Sequence, residues 1–129
     1  MRAIDTNVLV RFLAGDDPQQ SAKARKIIED GEVYVAVTVF LEAEWVLRST
    51  YGFSPVQICS IFEAFAGLPG VTVEDPDLLA LAIALARDGL DFADALHLGR
   101  AQGCTAFVTF DRKLVRAAKG LSPVATELA

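Results

Sequence analysis

The chain begins MRAIDTNVLV (residues 1–10), a short apolar stretch and a second apolar stretch separated by a carboxylate. This pattern predicts a strand over residues 2–4 and a helix over residues 7–13, so Asp5 lies where the strand ends. In parallel α/β sheets, the functional crevice lies outside the carboxyl ends of the strands. The opening stretch therefore predicts an α/β fold that presents Asp5 at that edge.

The alternation of strand and helix continues along the chain. Further strands are predicted over residues 33–37, 71–73 and 106–109, and further helices over residues 17–30, 38–51, 54–67, 75–89, 91–103 and 112–119. Such alternation predicts a three-layer αβα sandwich with a mainly parallel sheet of four to five strands. A length of 129 residues suits one domain over residues 1–129.

Composition narrows the class of protein. Hydrophobic residues make up 53% of the chain, but the longest uncharged apolar runs, residues 33–41 and 78–86, are far shorter than the about 20 residues of a membrane span. Asp5 interrupts the start before a signal-peptide core can form. The chain has only two cysteines, Cys59 and Cys104, which we expect to be reduced and to act as small apolar residues. These features predict a cytoplasmic protein that does not bind membranes.

The charge balance limits how the chain could bind nucleic acid. It carries 12 basic and 17 acidic side chains, a formal net charge of −5. An acidic protein does not attract nucleic acid through its overall charge. Binding would need a local basic patch or a metal ion that reverses the sign of the site.

Two glutamates on the helix after the second strand differ in their neighbours. Glu44 has Arg48 four residues later, which is a standard helical ion pair. Glu42 has no cation within one turn, and it lies one turn after Thr38, which is predicted to cap the helix where the strand ends. Glu42 is either an ordinary surface glutamate or part of an acidic site at that edge.

Four aspartates have a capping role open to them, and three of these have a second interpretation. Asp5, Asp91 and Asp111 can be helix N-caps, although Thr6 could cap the first helix instead, and Asp94 can belong to a capping box. Alternatively, Asp5, Asp94 and Asp111 join Glu42 in one carboxylate cluster, which would not stay ionised without a cation. Oxygen ligands without a cysteine or histidine cluster suit Mg²⁺ or Mn²⁺, and phosphoryl chemistry is their common use.

Four stretches in order, MRAIDTNVLVRFL, LEAEWVLRSTYG, DFADALHL and VTFDRKL, resemble PIN-domain ribonucleases. The closer resemblance is to the VapC-type toxins of bacterial toxin–antitoxin pairs, and it covers essentially the whole chain. It implies that Asp5, Glu42, Asp94 and Asp111 are the catalytic residues and ligate one or two Mg²⁺ or Mn²⁺ ions. One departure is Lys113, where family members often have a further acid, which affects the strength or number of metal sites.

The resemblance also implies an activity and partners. It implies an endoribonuclease that cuts single-stranded or looped RNA, with tRNA or rRNA as the usual target and with 5′-phosphate and 3′-hydroxyl products. It further implies a homodimer held by a cognate antitoxin protein.

Other residues have weaker signals. Thr6, Asn7, Asp91 and Thr109 could support the acids or contact phosphate, although Thr6 and Asn7 could also be plain helix caps. Candidate contacts to the RNA backbone, each of which is by itself better explained as solvated surface charge, are Arg11, Arg112 and Lys113. His97 could be a general base or a hydrogen-bonded helix histidine. The aromatic residues expected in the core or in dimer contacts are Trp45, Phe62 and Phe65.

Three other functions are alternatives to this one. A phosphoacceptor receiver domain needs two adjacent acids after its first strand and a mid-chain aspartate that ends a strand, and the chain has neither. An aspartyl-phosphate phosphatase would have a second aspartate at Asn7. A non-catalytic PIN-like binding module is the non-enzyme alternative, and the intact set of four acids argues against it.

Overall fold

The computed structural model describes residues 1–129. Its contacts divide the chain into two units, Met1–Pro76 and Asp77–Ala129. None of the helices is both long and apolar enough to cross a membrane.

The first unit is built on three parallel strands. In chain order, its elements are β1 (Arg2–Ala3), α1 (Thr6–Ala14), α2 (Pro18–Glu29), β2 (Val33–Val35), α3 (Val37–Ser49), α4 (Pro55–Ala66) and β3 (Val71–Val73). The strands pair in the order β1-β2-β3, with Ala3 opposite Tyr34 and Val35 opposite Val73. Their carboxyl ends therefore share one edge, from which Asp5, α3 and Glu74 follow.

The core of the first unit is apolar and partly aromatic. Val33 and Val35 of the central strand are fully buried. The ring of Phe40 lies edge-on to Phe62, with 5.1 Å between centroids, and contacts Phe65 at 6.3 Å. Full burial of each such side chain contributes roughly 1.5–3 kcal/mol. Phe62 and Phe65 are thus core residues, as predicted.

The starts of two helices follow their local signals. The Asp17 carboxylate accepts a hydrogen bond from the Gln20 N–H over 3.0 Å at the start of α2. Both bonds of the predicted capping box join Ser54 and Gln57 at the start of α4. These caps confirm that residues a few positions apart decide where α2 and α4 begin.

The predicted start of α3 is wrong. Thr38 was expected to be the N-cap, but the helix begins at Val37 and its N-cap is Ala36, which makes no side-chain bond. Strand β2 ends at Val35, whose carbonyl accepts the N–H of Glu74 over 3.0 Å. The chain turns into the helix directly afterwards, and Thr38 lies exposed in its first turn.

The second unit combines three helices with a two-stranded parallel sheet. Its elements are α5 (Pro76–Arg87), α6 (Phe92–Arg100), β4 (Phe107–Thr109), α7 (Arg112–Ala118) and β5 (Thr126–Leu128). Pro76, the first residue of α5, is also the last residue of the first unit. Phe107 pairs with Thr126 and Thr109 with Leu128. Strand β5 was not predicted, because its TEL sequence has no apolar alternation and becomes a strand only through its partner β4.

The two cysteines differ in their surroundings. Both are free thiols, which agrees with the predicted reduced state. Cys59 is buried in α4 and acts as a small apolar residue, as expected. Cys104 is exposed, so the expectation of an apolar role is wrong there.

Candidate active site

Asp5 begins α1 from the carboxyl end of β1. Its backbone is extended, and its Oδ1 accepts a hydrogen bond from the Val8 N–H over 3.0 Å. Asp5 is therefore the N-cap, and the alternative that Thr6 or Asn7 caps this helix is wrong. The cap bond uses Oδ1 alone and fixes the orientation of the carboxylate. Capping is thus compatible with a second role for Oδ2 on this exposed side chain.

Glu42 lies beside the residue that follows Asp5. The hydroxyl of Thr6 donates a hydrogen bond to Oε1 of Glu42 over 3.3 Å, although the two residues are 36 positions apart. Helix α1 packs against α3, which makes this contact possible. Glu42 is exposed, as a surface glutamate would be, but it is held at the carboxyl edge of the first unit's sheet.

Glu44 faces the opposite way from Glu42. Its Oε2 accepts a hydrogen bond from Nε of Arg48 over 2.7 Å, which confirms the predicted helical ion pair. The Glu44 side chain is only 7% exposed and that of Arg48 is 40% exposed. The burial of Glu44 was not predicted, since an ion pair on a helix is usually on its surface.

Glu74 was missed by the sequence reasoning. It follows β3, and its Oε1 accepts a hydrogen bond from the Val37 N–H over 2.8 Å. This carboxylate supplies the cap that Ala36 lacks. An acid directly after a predicted strand is the signal that singled out Asp5, and the same signal could have found Glu74.

Asp94 lies near two other carboxylates of the second unit. Asp91 is the N-cap of α6, and its Oδ1 accepts the N–H of Asp94 over 3.0 Å. Burial and the negative charges of Asp91 and Asp111 raise the pKa of Asp94, while the charge of His97 opposes the rise. Asp94 is half-buried and His97 is exposed. The half-buried Asp94 is therefore the carboxylate that a nearby cation would relieve most.

Asp111 begins α7 from the carboxyl end of β4. Its Oδ1 accepts the N–H groups of Lys113 and Leu114, each over 3.0 Å. Its own N–H donates to Oγ1 of Thr109 over 3.0 Å, so Thr109 helps to hold the turn that carries the acid. Arg112 and Lys113 are exposed in the first turn of α7, next to Asp111.

Arg11 is held by its own neighbours. Its Nε donates to Gln20 over 2.6 Å, and its Nη1 contacts Asp16 at 3.1 Å and the Tyr51 hydroxyl at 2.8 Å. The Tyr51 hydroxyl also donates to Asp16 over 2.9 Å. This network favours a structural role for Arg11 over contact with a substrate.

The side chains were tested for a metal site. No group of three or more His, Cys, Asp or Glu side chains is arranged to hold a metal ion. The available donors are carboxylate oxygens, which suit a hard divalent cation. Burial and the negative charges of Asp91 and Asp111 raise the pKa of Asp94, and a cation close to it would favour the ionised carboxylate. In donor chemistry and charge, the residues therefore fit Mg²⁺ or Mn²⁺.

A protein family matches most of the chain. The profile of a family described as PIN domain matches residues 3–120, which include all four predicted acids. No curated protein matches the chain. The structure has seven helices, and its strands pair only in parallel, as a set of three and a set of two. This architecture agrees with the family match and confirms the predicted αβα, PIN-like fold class.

Proposed function

The chain belongs to the PIN domain family, and from that premise we propose that it is a metal-dependent endoribonuclease of the VapC type, the toxin of a toxin–antitoxin pair. PIN domains are generally nucleases that use divalent metals. The observation that carries the proposal is the complete set of four acids within one family match. That match also supports a single PIN domain along the chain.

We propose Asp5, Glu42, Asp94 and Asp111 as the catalytic residues and as the ligands of one or two Mg²⁺ or Mn²⁺ ions. A bound ion would activate water and neutralise charge that develops on the phosphate. The chain's own contacts support these roles, because the caps at Asp5 and Asp111 are made by Oδ1, so that Oδ2 takes no part in them. Thr6 holds Glu42 through its hydroxyl.

The second unit supplies further groups for this reaction. The hydroxyl oxygen of Thr109 accepts the backbone N–H of Asp111, and Oδ1 of Asp91 accepts the backbone N–H of Asp94. The proposed contacts to substrate phosphates are Asn7 in the first unit and Arg112 with Lys113 at the start of α7, all of which are exposed. Because the chain has a net charge of −5, these local contacts and the metal would have to offset the repulsion of RNA.

The proposed substrate is RNA with single-stranded or looped segments, of the tRNA or rRNA kind. Sequence-specific RNA recognition mostly targets unstacked bases, which fits cleavage in loops. The direct test is a cleavage assay on a labelled hairpin RNA with Mg²⁺ or Mn²⁺, with EDTA, and with the metal restored after EDTA. Cleavage that stops with EDTA and returns with metal supports the proposal. RNA binding without cleavage under any metal condition would favour the non-catalytic alternative.

The toxin role predicts effects in cells and in solution. Expression of the chain alone in a bacterium should arrest growth, and the Glu42→Gln variant should not. We propose that the chain is cytoplasmic and that its cognate antitoxin blocks the site with a segment that carries arginine or lysine, since a carboxylate site attracts cations. The proposed homodimer predicts twice the chain mass of 13.9 kDa in light scattering. Normal growth would contradict the toxin role, and a monomeric mass at micromolar concentration would contradict the dimer.

A further inference from the structure

Helix α3 begins without a cap from its own segment. The first N–H groups of a helix have no partner within it, and a polar side chain at the N-cap normally accepts one of them. Ala36 has no such side chain. The carboxylate of Glu74, 37 positions away from Val37, accepts the Val37 N–H instead over 2.8 Å.

The backbone of Glu74 is held at the same place. Its N–H donates to the carbonyl of Val35 over 3.0 Å, which extends the pairing of β2 and β3 by one residue. Glu74 therefore binds the last residue of β2 through its main chain and the first residue of α3 through its side chain. The register of the two strands sets where the helix begins.

Helix α3 is thus held by two residues that follow the neighbouring strands, Glu74 after β3 and Thr6 at the start of α1. On the β3 side, Glu74 binds the first turn, and on the β1 side, the Thr6 hydroxyl binds Glu42, five residues after Val37. If the first turn of α3 frayed or rotated, Glu42 would move with it, because the helix backbone transmits rotation over this distance. The hydrogen bond from the Val37 N–H to Glu74 therefore helps to fix the position of Glu42.

We propose that Glu74 is a positioning residue, which caps α3 from the neighbouring strand and thereby fixes Glu42 beside Thr6. Its importance for cleavage rests on the proposed function, but its effect on α3 and on the Glu42 carboxylate does not. Glu74 would act through the helix and would not touch the substrate.

The test compares Glu74→Ala with Glu74→Gln, which keeps an oxygen acceptor. Amide hydrogen exchange measured by NMR should be at least about tenfold faster at Val37 in Glu74→Ala and close to wild type in Glu74→Gln. The carboxyl ¹³C resonance of Glu42 should shift in Glu74→Ala only. Both readouts use metal-free protein without RNA. Unchanged exchange at Val37 or an unchanged Glu42 resonance in Glu74→Ala would overturn the proposal.

A second substitution tests the capping role specifically. Ala36→Ser places an ordinary N-cap side chain at an extended residue, where its hydroxyl can accept the N–H of Thr38 or Val39, so in combination with Glu74→Ala it should restore the wild-type Glu42 resonance. Failure of this rescue would contradict the capping explanation. Glu32→Ala is the matched control, because it removes an exposed carboxylate that precedes β2 at the opposite edge of the same sheet. It should change neither readout.

Cleavage is measured last. In an active wild-type enzyme, Glu74→Ala should lower kcat about tenfold with KM within about twofold, since small misplacements of a catalytic group can reduce rates strongly. Altered NMR readouts with unchanged kcat would show that Glu74 is only a local cap and would overturn the positioning role. If the wild-type chain does not cleave RNA, the proposed function fails, while the two NMR readouts still decide whether Glu74 positions Glu42.

Discussion

The Thr6 hydroxyl donates to Oε1 of Glu42 over 3.3 Å and joins the start of α1 to the middle of α3. Glu44, two residues further along α3, is buried and paired with Arg48. Two neighbouring glutamates therefore have different surroundings, since positions two apart lie about 200° apart around a helix.

The first prediction separates these two glutamates. Glu42→Gln should abolish metal-dependent RNA cleavage and leave the melting temperature nearly unchanged, because the side chain is exposed. Glu44→Gln should keep cleavage but lower the free energy of unfolding by roughly 1–3 kcal/mol, the range for losing a partly buried charge-assisted hydrogen bond. Urea unfolding and cleavage assays well below the melting temperature measure both effects. The opposite outcome, in which only Glu44→Gln loses activity, would mean that the site uses the other face of α3.

The second prediction concerns the charge of Asp94. Its pKa lies above the ordinary value of 3.8 because of burial and the charges of Asp91 and Asp111. A carboxyl whose pKa is raised on folding stabilises the fold when protonated, so this contribution is present at low pH and is lost as the pH rises through the raised value. Metal-free Asp94→Asn should therefore melt at a higher temperature than the wild type at pH 7, and the difference should shrink towards pH 4.

Asp77→Asn is the control for this effect. Asp77 is also an acid in the first turn of a helix, but it is exposed at the start of α5. A negative charge there is favourable because of the helix dipole, so its removal should slightly lower the melting temperature. Equal effects of Asp94→Asn and Asp77→Asn would contradict the crowding of charge around Asp94.

The third prediction separates capping from metal binding at Asp111. Asp111→Asn keeps an oxygen that can accept the N–H groups of Lys113 and Leu114, so the metal-free fold should be nearly as stable as the wild type. Asp111→Ala loses the cap and should cost about 1 kcal/mol. Both variants should lose cleavage and most of the rise in melting temperature on addition of Mn²⁺, since that rise reports metal binding to the folded state. A full Mn²⁺ response in Asp111→Asn would remove Asp111 from the proposed ligands.

The fourth prediction uses the only tryptophan of the chain. Trp45 was expected in the core or in a dimer contact, and the core alternative is wrong, since its side chain is 59% exposed. If the proposed homodimer covers α3 at this point, Trp45 emission should shift to shorter wavelength as protein concentration rises into the dimeric range. The same titration by light scattering is the control. A dimer whose formation leaves the emission unchanged would place Trp45 outside the dimer contact.

The fifth prediction concerns the close packing of α5 and α6. A Cβ added at Gly99 would overlap the side chain of Leu78 and approach Leu81 to 3.3 Å. Gly99→Ala should therefore destabilise the protein by roughly 1–3 kcal/mol, the usual range for overpacking. Shortening Leu78 to valine in the same chain should recover part of the loss in urea unfolding. Additive destabilisation by the two substitutions would argue against a steric cause.

Much of the fold follows from local patterns in the sequence. Strand β3 occupies its predicted residues, and α2 and α4 begin at the predicted Asp17 and Ser54. The candidate site was less predictable. The sequence offered capping and metal binding as alternatives for Asp5 and Asp111, and the structure shows that both residues cap helices through one oxygen only.

The sequence by itself determined most of the elements, though not β5, and where most helices begin, because caps and helical ion pairs such as Glu44–Arg48 act within four residues of one another. Only the tertiary structure decided the burial of Glu44, the contact of Thr6 with Glu42 and the capping of Val37 by Glu74. The last two contacts join residues 36 and 37 positions apart. They depend on strand register and helix packing, which place distant residues at one sheet edge and which no short stretch of sequence encodes.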